Sequence, residues 1–299
     1  SSDLIMKLLG TILSFLDGTI TISIDPDKIE NISDYIRNVI KNNTLHPGDA
    51  GQLAGKLQFV SNAFAGQFGK HFLRPLVCRQ YQPHFWSTKL NHSLSNCLHW
   101  WRKMLKIHPP RPLPLSRNMR PRLVVFGDGE GSGSIGAIAF FFPPGEEKHL
   151  RPKAFQLDLP ASLRSSWGKS KQKINQIEAV VPIICLLTFK DWTYDSMYCH
   201  FVDNTSALST LVKGTSRTTS MGTIADMTWN VIAHQRCFTW FEWVPTKANL
   251  SDGISRRDFS DPWNLNWELV TPVLPLEWEH HFEAGAPVSF CKEKSRPFS

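Results

Sequence analysis

Leu123-Val124-Val125-Phe126-Gly127-Asp128-Gly129-Glu130-Gly131-Ser132-Gly133 reads as an apolar strand that ends on an acid and turns at glycines into a second strand, 135–142. An acid left at the end of an apolar element needs a partner, because burying a lone carboxylate is costly. Three further acids share that setting. Glu178 lies inside Ile174-Asn175-Gln176-Ile177-Glu178-Ala179-Val180-Val181, Asp203 ends the run Tyr198-Cys199-His200-Phe201-Val202-Asp203, and Asp252 opens a short helix in Lys247-Ala248-Asn249-Leu250-Ser251-Asp252-Gly253-Ile254-Ser255-Arg256. Taken singly, each has an ordinary reading: a strand-ending Asp is a turn former, and Asp252 is a first-turn acid or N-cap. The ordered set points to one site.

Two carboxylates about 4 Å apart repel by roughly 4 kcal/mol at an effective dielectric near 20. Four converging acids therefore raise one another's pKa unless cations neutralise them. Hard oxygen ligands suit magnesium, with manganese able to substitute. Two such ions about 3.5–4 Å apart serve phosphodiester cleavage. The expectation is a site of two Mg2+ ions held by Asp128, Glu178, Asp203 and Asp252.

Outward from the acids, the chain from 122 to 258 alternates β, β, β, α, β, α, α, β, α. Strand 3 is expected at 154–159, a basic loop at 164–173, helices at 205–213 and 221–235, and strand 5 at 238–244. Pro182, four residues after Glu178, is expected to kink its helix. Before this unit, alternation at 8–24 reads as a β-hairpin. Helices follow from Asp25, with Ile29, Ile32, Ile36, Val39 and Ile40 on one face, and from Asp49, where Gly55 marks a close approach; two more lie at 68–78 and 90–107. Pro109, Pro110, Pro112, Pro114 and Pro121 read as an extended spacer. The expected organisation is thus a hairpin at 1–24, a helical domain at 25–108, a proline-rich linker at 109–121, the α/β domain at 122–258 and a Trp/Pro-rich tail at 259–299.

The 299 residues carry 41% hydrophobic and 20% charged side chains, a globular composition. The longest apolar stretches fall short of the roughly 20 residues a membrane span needs. No signal peptide opens the chain, and the start without Met is read as a fragment or processed product. Six cysteines without a Cys-x-x-Cys pair read as reduced thiols of an intracellular protein. Cys97-Leu98-His99 and His234-Gln235-Arg236-Cys237 resemble zinc half-sites, but ordinary ligand spacing does not complete them. The net charge of +7 is uneven: residues 1–121 hold 15 Lys and Arg against 7 Asp and Glu. No acid occurs between Asp49 and Asp128, an interval with twelve basic residues, among them Lys56, Lys70, Arg74, Arg102 and Lys106. One-sign charge over this length points to a polyanion. The interleaved Phe85, Trp86, His99, Trp100 and Trp101 fit a nucleic-acid surface, or else are a buried core behind an idle basic face.

The order of elements, with acids on strand 1, the first helix, strand 4 and the last helix, resembles the RNase H domain of reverse transcriptases. The string Val244-Pro245-Thr246-Lys247-Ala248-Asn249-Leu250-Ser251-Asp252-Gly253-Ile254-Ser255-Arg256 is similar to the end of retrotransposon RNase H domains, and Asp203-Asn204 after a strand is familiar there. Upstream, Leu53-Ala54-Gly55-Lys56-Leu57-Gln58-Phe59 and Phe72-Leu73-Arg74-Pro75-Leu76 resemble the thumb that follows a polymerase palm, and 1–24 the end of the palm. The flavour is closest to DIRS-like retroelements. Three positions depart from the pattern: Asp128-Gly129-Glu130 replaces Asp-Ala-Ser, Pro182 sits in a helix, and no histidine stands between strand 5 and the last helix. The paired-aspartate polymerase motif is absent.

The resemblance implies an RNase-H-like mixed five-stranded sheet with flanking helices, preceded by a small helical thumb-like domain. It implies hydrolysis of the RNA strand of RNA–DNA hybrids, with Asp128 bridging two metals, Glu178 and Asp203 on the first and Asp252 on the second. Asn175 and Asn204 are expected at the hybrid, and Lys56, Lys70, Arg74, Arg102 and Lys106 at phosphates. The partners implied are nucleic acid and the upstream palm and fingers of one polyprotein, with no membrane. Three other readings stay open: a catalytically degenerate nucleic-acid-binding module, a DNA-cutting integrase-like or transposase-like nuclease, and a structural connection segment.

Overall fold

The computed structural model describes residues 4–16, 18–83, 86–107, 111–115, 120–168, 173–260 and 266–275. Strands β1 (Leu4–Leu8), β2 (Thr11–Leu16) and β3 (Thr19–Ile24) form an antiparallel meander, and β4 (Arg111–Pro114) pairs antiparallel with β3. Two expectations are corrected here. The hairpin over 1–24 is three strands of a four-stranded sheet, and the stretch read as a spacer supplies the fourth. Proline cannot donate to a ladder, so it is confined to edge strands. β4 is such an edge. Residues 108–110 and 116–119 of the expected linker, with Pro109 and Pro110, lie outside the described residues.

Four helices follow the meander: α1 (Pro26–Asn42), α2 (Pro47–Ala65), α3 (Arg74–Gln80) after a 3-10 turn at His71–Leu73, and α4 (His92–Ile107). Asp25 caps α1 by accepting from the Asp27 amide at 3.3 Å. Ile29, Ile32, Ile36 and Val39 bury the face the 3.6-residue period predicts, and Ile40 packs at its margin. Gly55 faces open space, so the close approach expected there does not occur. Trp100 and Trp101 are fully buried and pack against each other, with Trp100 also against Phe68 and Phe72. They are core, not a stacking surface. Trp86 and His99 are exposed, and Phe85 lies outside the described residues.

The α/β unit is a six-stranded mixed sheet of β5 (Arg122–Gly129), β6 (Ser134–Phe142), β7 (Lys153–Asp158), β8 (Met197–Val202), β9 (Phe238–Trp243) and β10 (Glu268–Leu269), in the order β10-β7-β6-β5-β8-β9. β5–β6 and β6–β7 are antiparallel, whereas β5–β8, β8–β9 and β7–β10 are parallel. The five expected strands are present. The sixth comes from the tail and is only two residues long, too short for a periodic signal. The rest of the tail, 261–265 and 276–299, lies outside the described residues.

Helices α5 (Ala161–Ser166), α6 (Ile174–Thr188), α7 (Lys190–Thr193), α8 (Thr205–Lys213), α9 (Thr219–Gln235) and α10 (Asp252–Ser255) flank the sheet. Of the basic loop expected at 164–173, Arg164 belongs to α5 and 169–172 lie outside the described residues. α6 is buried from Gln176 to Leu186 and is apolar nearly all round, because the sheet covers one side and α9 another. It runs through Pro182, which is buried, without ending there. On the opposite face, Ile254 of α10 packs on Ile138 and Ala154, beside Phe126, Phe140 and Trp267. Among the described residues no helix is long and apolar enough to cross a membrane.

Candidate metal centre

β5 and β8 are parallel neighbours with Phe126 opposite Phe201, so two residues further on the same register sets Asp128 beside Asp203. Glu178 is added by the first turns of α6, which cross close above β5. A side chain at Gly129 would stand 2.7 Å from Ile177 Cγ2 and 3.3 Å from the Glu178 amide nitrogen. The departure at Gly129 therefore has a physical reason: only a residue without Cβ lets α6 come down this far. One oxygen from each of Asp128, Glu178 and Asp203 lies within 4.8 Å of the others. Asp128 and Glu178 are buried and Asp203 is half-buried.

Burial, reinforced by the neighbouring acids, pushes the Glu178 carboxyl up to about 9, against a hydrogen bond from the Gly129 backbone. Asp128 is pushed up to about 6, again first by burial; a hydrogen bond from Ser255 pulls the other way, and the charges of Asp203 and Asp252 add to the rise. Glu178 Oε2 is buried and makes no hydrogen bond among the described residues. A buried carboxylate oxygen left without a donor is one that a cation could satisfy.

The segment carrying the fourth acid is pinned to β5. Asn249 Nδ2 donates to the Gly127 carbonyl at 3.1 Å, while its Oδ1 accepts from Ser251 Oγ at 2.7 Å. From α10, Ser255 Oγ donates to the Asp128 carboxylate, and Ser134 Oγ donates to the Ser255 carbonyl at 2.6 Å. This needs β6 and α10 nearly in backbone contact, and Gly136 provides it: a Cβ there would lie 2.5 Å from the Ser255 nitrogen. Asp252 itself is not in the tight group. Its Oδ1 is 2.7 Å from Arg256 Nη2, an i,i+4 pair that draws the carboxylate toward α10's own cation. Of the four acids expected to converge, three do so and the fourth is held beside them.

The Asn249, Ser255 and Arg256 contacts were missed as roles although the residues stood in the quoted string; their spacing of −3, +3 and +4 from Asp252 was the available signal. Trp243 was also missed: it is half exposed, and its Nε1 donates to the Asp203 carbonyl at 3.2 Å. Asn175 and Asn204 meet, with Asn204 Nδ2 donating to Asn175 Oδ1 at 3.1 Å while Asn204 Oδ1 caps α8 through the Ser206 and Ala207 amides. The five basic residues separate. Lys56 on α2 and Arg102 and Lys106 on α4 are exposed, whereas Lys70 and Arg74 line a groove against α8. Two other cations of the acid-free interval are structural and buried. Arg79 donates to the carbonyls of Leu45, Ser87 and Lys89, and Arg120 pairs with Asp195 at 3.0 Å and donates to the Pro112 carbonyl. Cys97 donates to the Phe72 carbonyl and Cys237 to that of Thr193, and no His/Cys group that could hold zinc forms among the described residues.

No family model matches the sequence, and no curated protein matches it. Among solved structures, the chain is similar to the N-terminal RNase H domain of a Mycobacterium tuberculosis protein, solved as a fusion with maltose-binding protein, at 14% identity over 46% of this chain and 92% of that one, TM-score 0.33. It is similar also to RNase H1 of the halophilic archaeon Halobacterium salinarum, at 13% identity over 48% of this chain and 98% of that one, TM-score 0.34. The mixed α/β fold is evident from the strand order itself, and the acid group from its own geometry.

Proposed function

We propose that the α/β unit is an RNase-H-like nuclease that hydrolyses the RNA strand of RNA–DNA hybrids, within the C-terminal part of a retroelement reverse transcriptase of DIRS-like flavour. The observation that carries this is the buried group of Asp128, Glu178 and Asp203 oxygens within 4.8 Å of one another, with Glu178 Oε2 unpartnered among the described residues. Its all-oxygen donor set fits magnesium, with manganese able to substitute. Asp128, Glu178 and Asp203 would hold one ion, and Asp128 with Asp252 a second. When bound, such ions polarise a phosphate oxygen and lower the pKa of a water.

The chain's own residues do the rest. Ser255 favours the ionised form of Asp128, and Arg256 pairs with Asp252 and holds it close by. The amides of Asn175 and Asn204, on the elements that carry Glu178 and Asp203, are offered to sugar edges and 2′-hydroxyls in the minor groove. No histidine stands at 245–251 to assist product release, so turnover is expected to be slow. Upstream, Leu4, Ile5, Met6 and Leu8 of β1 are exposed along a sheet edge, which supports continuation into a palm.

The test offers the full chain, with magnesium, three labelled substrates: an RNA–DNA hybrid, a DNA duplex of the same sequence and the single-stranded RNA. Cutting confined to the RNA of the hybrid is expected. Cutting of duplex DNA would favour an integrase-like nuclease, and a folded protein that binds all three without cutting would favour a degenerate module.

A further inference from the structure

A groove of about 800 Å³ runs not at the acids but between α3 and α8, where the helical unit meets the α/β unit. Four cations line it from both sides: Lys70 and Arg74 from the helical unit, Lys213 and Arg217 from the end of α8 and the loop beyond. Ser206 and Ser209 of α8 add hydroxyls, and none of the described lining residues is Asp or Glu. Lys213 and Arg217 lie outside the acid-free interval, so the sequence gives no reason to join them to Lys70 and Arg74. The fold does.

The seam is rigid. Arg74 donates to the Ser216 carbonyl across it. A Cβ at Gly214 would stand 2.5 Å from Gln67, and one at Gly222 2.2 Å from His71 Nδ1. Four like charges are therefore gathered in one cleft with no acid among its described lining residues, an arrangement that costs repulsion unless an anion occupies it. Partial burial in the groove lowers the pKa of Lys70.

We infer that this groove is a second nucleic-acid site, in which Lys70, Arg74, Lys213 and Arg217 grip the phosphodiester backbone of the strand engaged at the acids. The inference rests on the nuclease reading for its choice of occupant. α8 supplies the link: its N-cap, Asn204, adjoins Asp203, and its last turn carries Lys213. At about 1.5 Å per residue the helix spans roughly 13 Å, the reach of a few nucleotides. A strand at the acids thus extends over the groove, whereas a free phosphate or nucleotide would use only part of it.

The test is binding of a fluorescent duplex and a fluorescent hybrid to the full chain without divalent metal, measured by anisotropy over a range of salt. Each phosphate contact contributes about 0.9 to the slope of log K against log salt on a duplex, so Lys213→Ala/Arg217→Ala should flatten the slope by about 1.8. The charge-conserving Lys213→Arg/Arg217→Lys should restore it, and Lys41→Ala/Lys148→Ala, which removes equal charge elsewhere, should leave it unchanged. Equal melting temperatures establish that each variant is folded. An unchanged slope in the groove variant overturns the proposal, even if hybrid cleavage persists and the nuclease reading stands. A flattened slope in a protein that cuts nothing supports the groove and removes the nuclease. Competition by millimolar inorganic phosphate that erases the difference between wild type and variant also overturns it, since the groove would then be a site for small anions.

Discussion

Glu178 and Asp128 behave as acids waiting for a cation. Burial holds their carboxyls up to about 9 and about 6, so near pH 7 Glu178 carries its proton and Asp128 has largely lost its own. A metal ion must displace the Glu178 proton, and its affinity should therefore climb from pH 6 toward pH 9 with proton release on binding. Calorimetry with magnesium in buffers of different ionisation enthalpy reads both; an affinity flat over that range would contradict it. Ser255→Ala removes the hydrogen bond that favours ionised Asp128, and should weaken metal binding by about tenfold or more. A third acid, Asp226, is buried in α9 and pushed up to about 8, above its ordinary 3.8. The fold keeps this proton where the unfolded chain has lost it. Its contribution is thus fully present below about pH 4 and is lost as pH rises to about 8. Asp226→Asn cannot ionise, so its unfolding free energy, read by denaturant titration, should gain on the wild type as pH climbs through that window, by up to about 1.4 kcal/mol per pH unit. A difference constant with pH would mean that Asp226 is not protonated in the fold.

At the scale of elements, legibility followed periodicity. α1 is long and strongly patterned, α6 is a long apolar run, and α8 opens on an Asn cap and closes on Gly214 in the left-handed region; the residues announce all three. β4 was readable as extended but not as paired, because prolines say nothing about which strand donates to their carbonyls. α10 is one turn, too short for any period, and its place depends on Gly136 across the sheet. The same contact makes a prediction. Gly136→Ala sets a methyl against backbone rather than a flexible side chain, so α10 must move and carry Asp252 and Ser255 with it. Cleavage should fall much further than stability, which overpacking lowers by about 1–3 kcal/mol; equal losses of both, by assay and denaturant titration, would argue against α10 as part of the site. Arg79 shows the limit of reading charge from sequence. It belongs to the acid-free interval whose one-sign charge points to a polyanion, yet it is buried among three carbonyls. Arg79→Ala should cost roughly 2–4 kcal/mol by urea unfolding and leave the salt dependence of nucleic-acid binding unaltered.

Across the whole molecule, the four acids are legible in the sequence because Asp128 and Asp203 end strands, Asp252 opens a helix and Glu178 interrupts an apolar helix, but their convergence is only partly legible. Asp128 and Asp203 share a register and Glu178 lies above them; the i,i+4 spacing allows the Asp252–Arg256 pair, but that Asp252 stands outside the tight group depends on side-chain geometry. The two units also meet through glycines 214 and 222, whose role becomes visible only when Gln67 and His71 are in place against them. One experiment bears on the central claim most directly: single-turnover cleavage of an RNA–DNA hybrid, labelled on the RNA, by the wild type and by Asp128→Asn across a magnesium titration. Asp128 is the acid common to both ions in the proposed arrangement. The wild type should cut the RNA strand only with magnesium, and the folded variant should not cut at any concentration. Cleavage that survives in Asp128→Asn, or a folded wild type that leaves the hybrid intact where a control RNase H cuts it, would contradict the assignment.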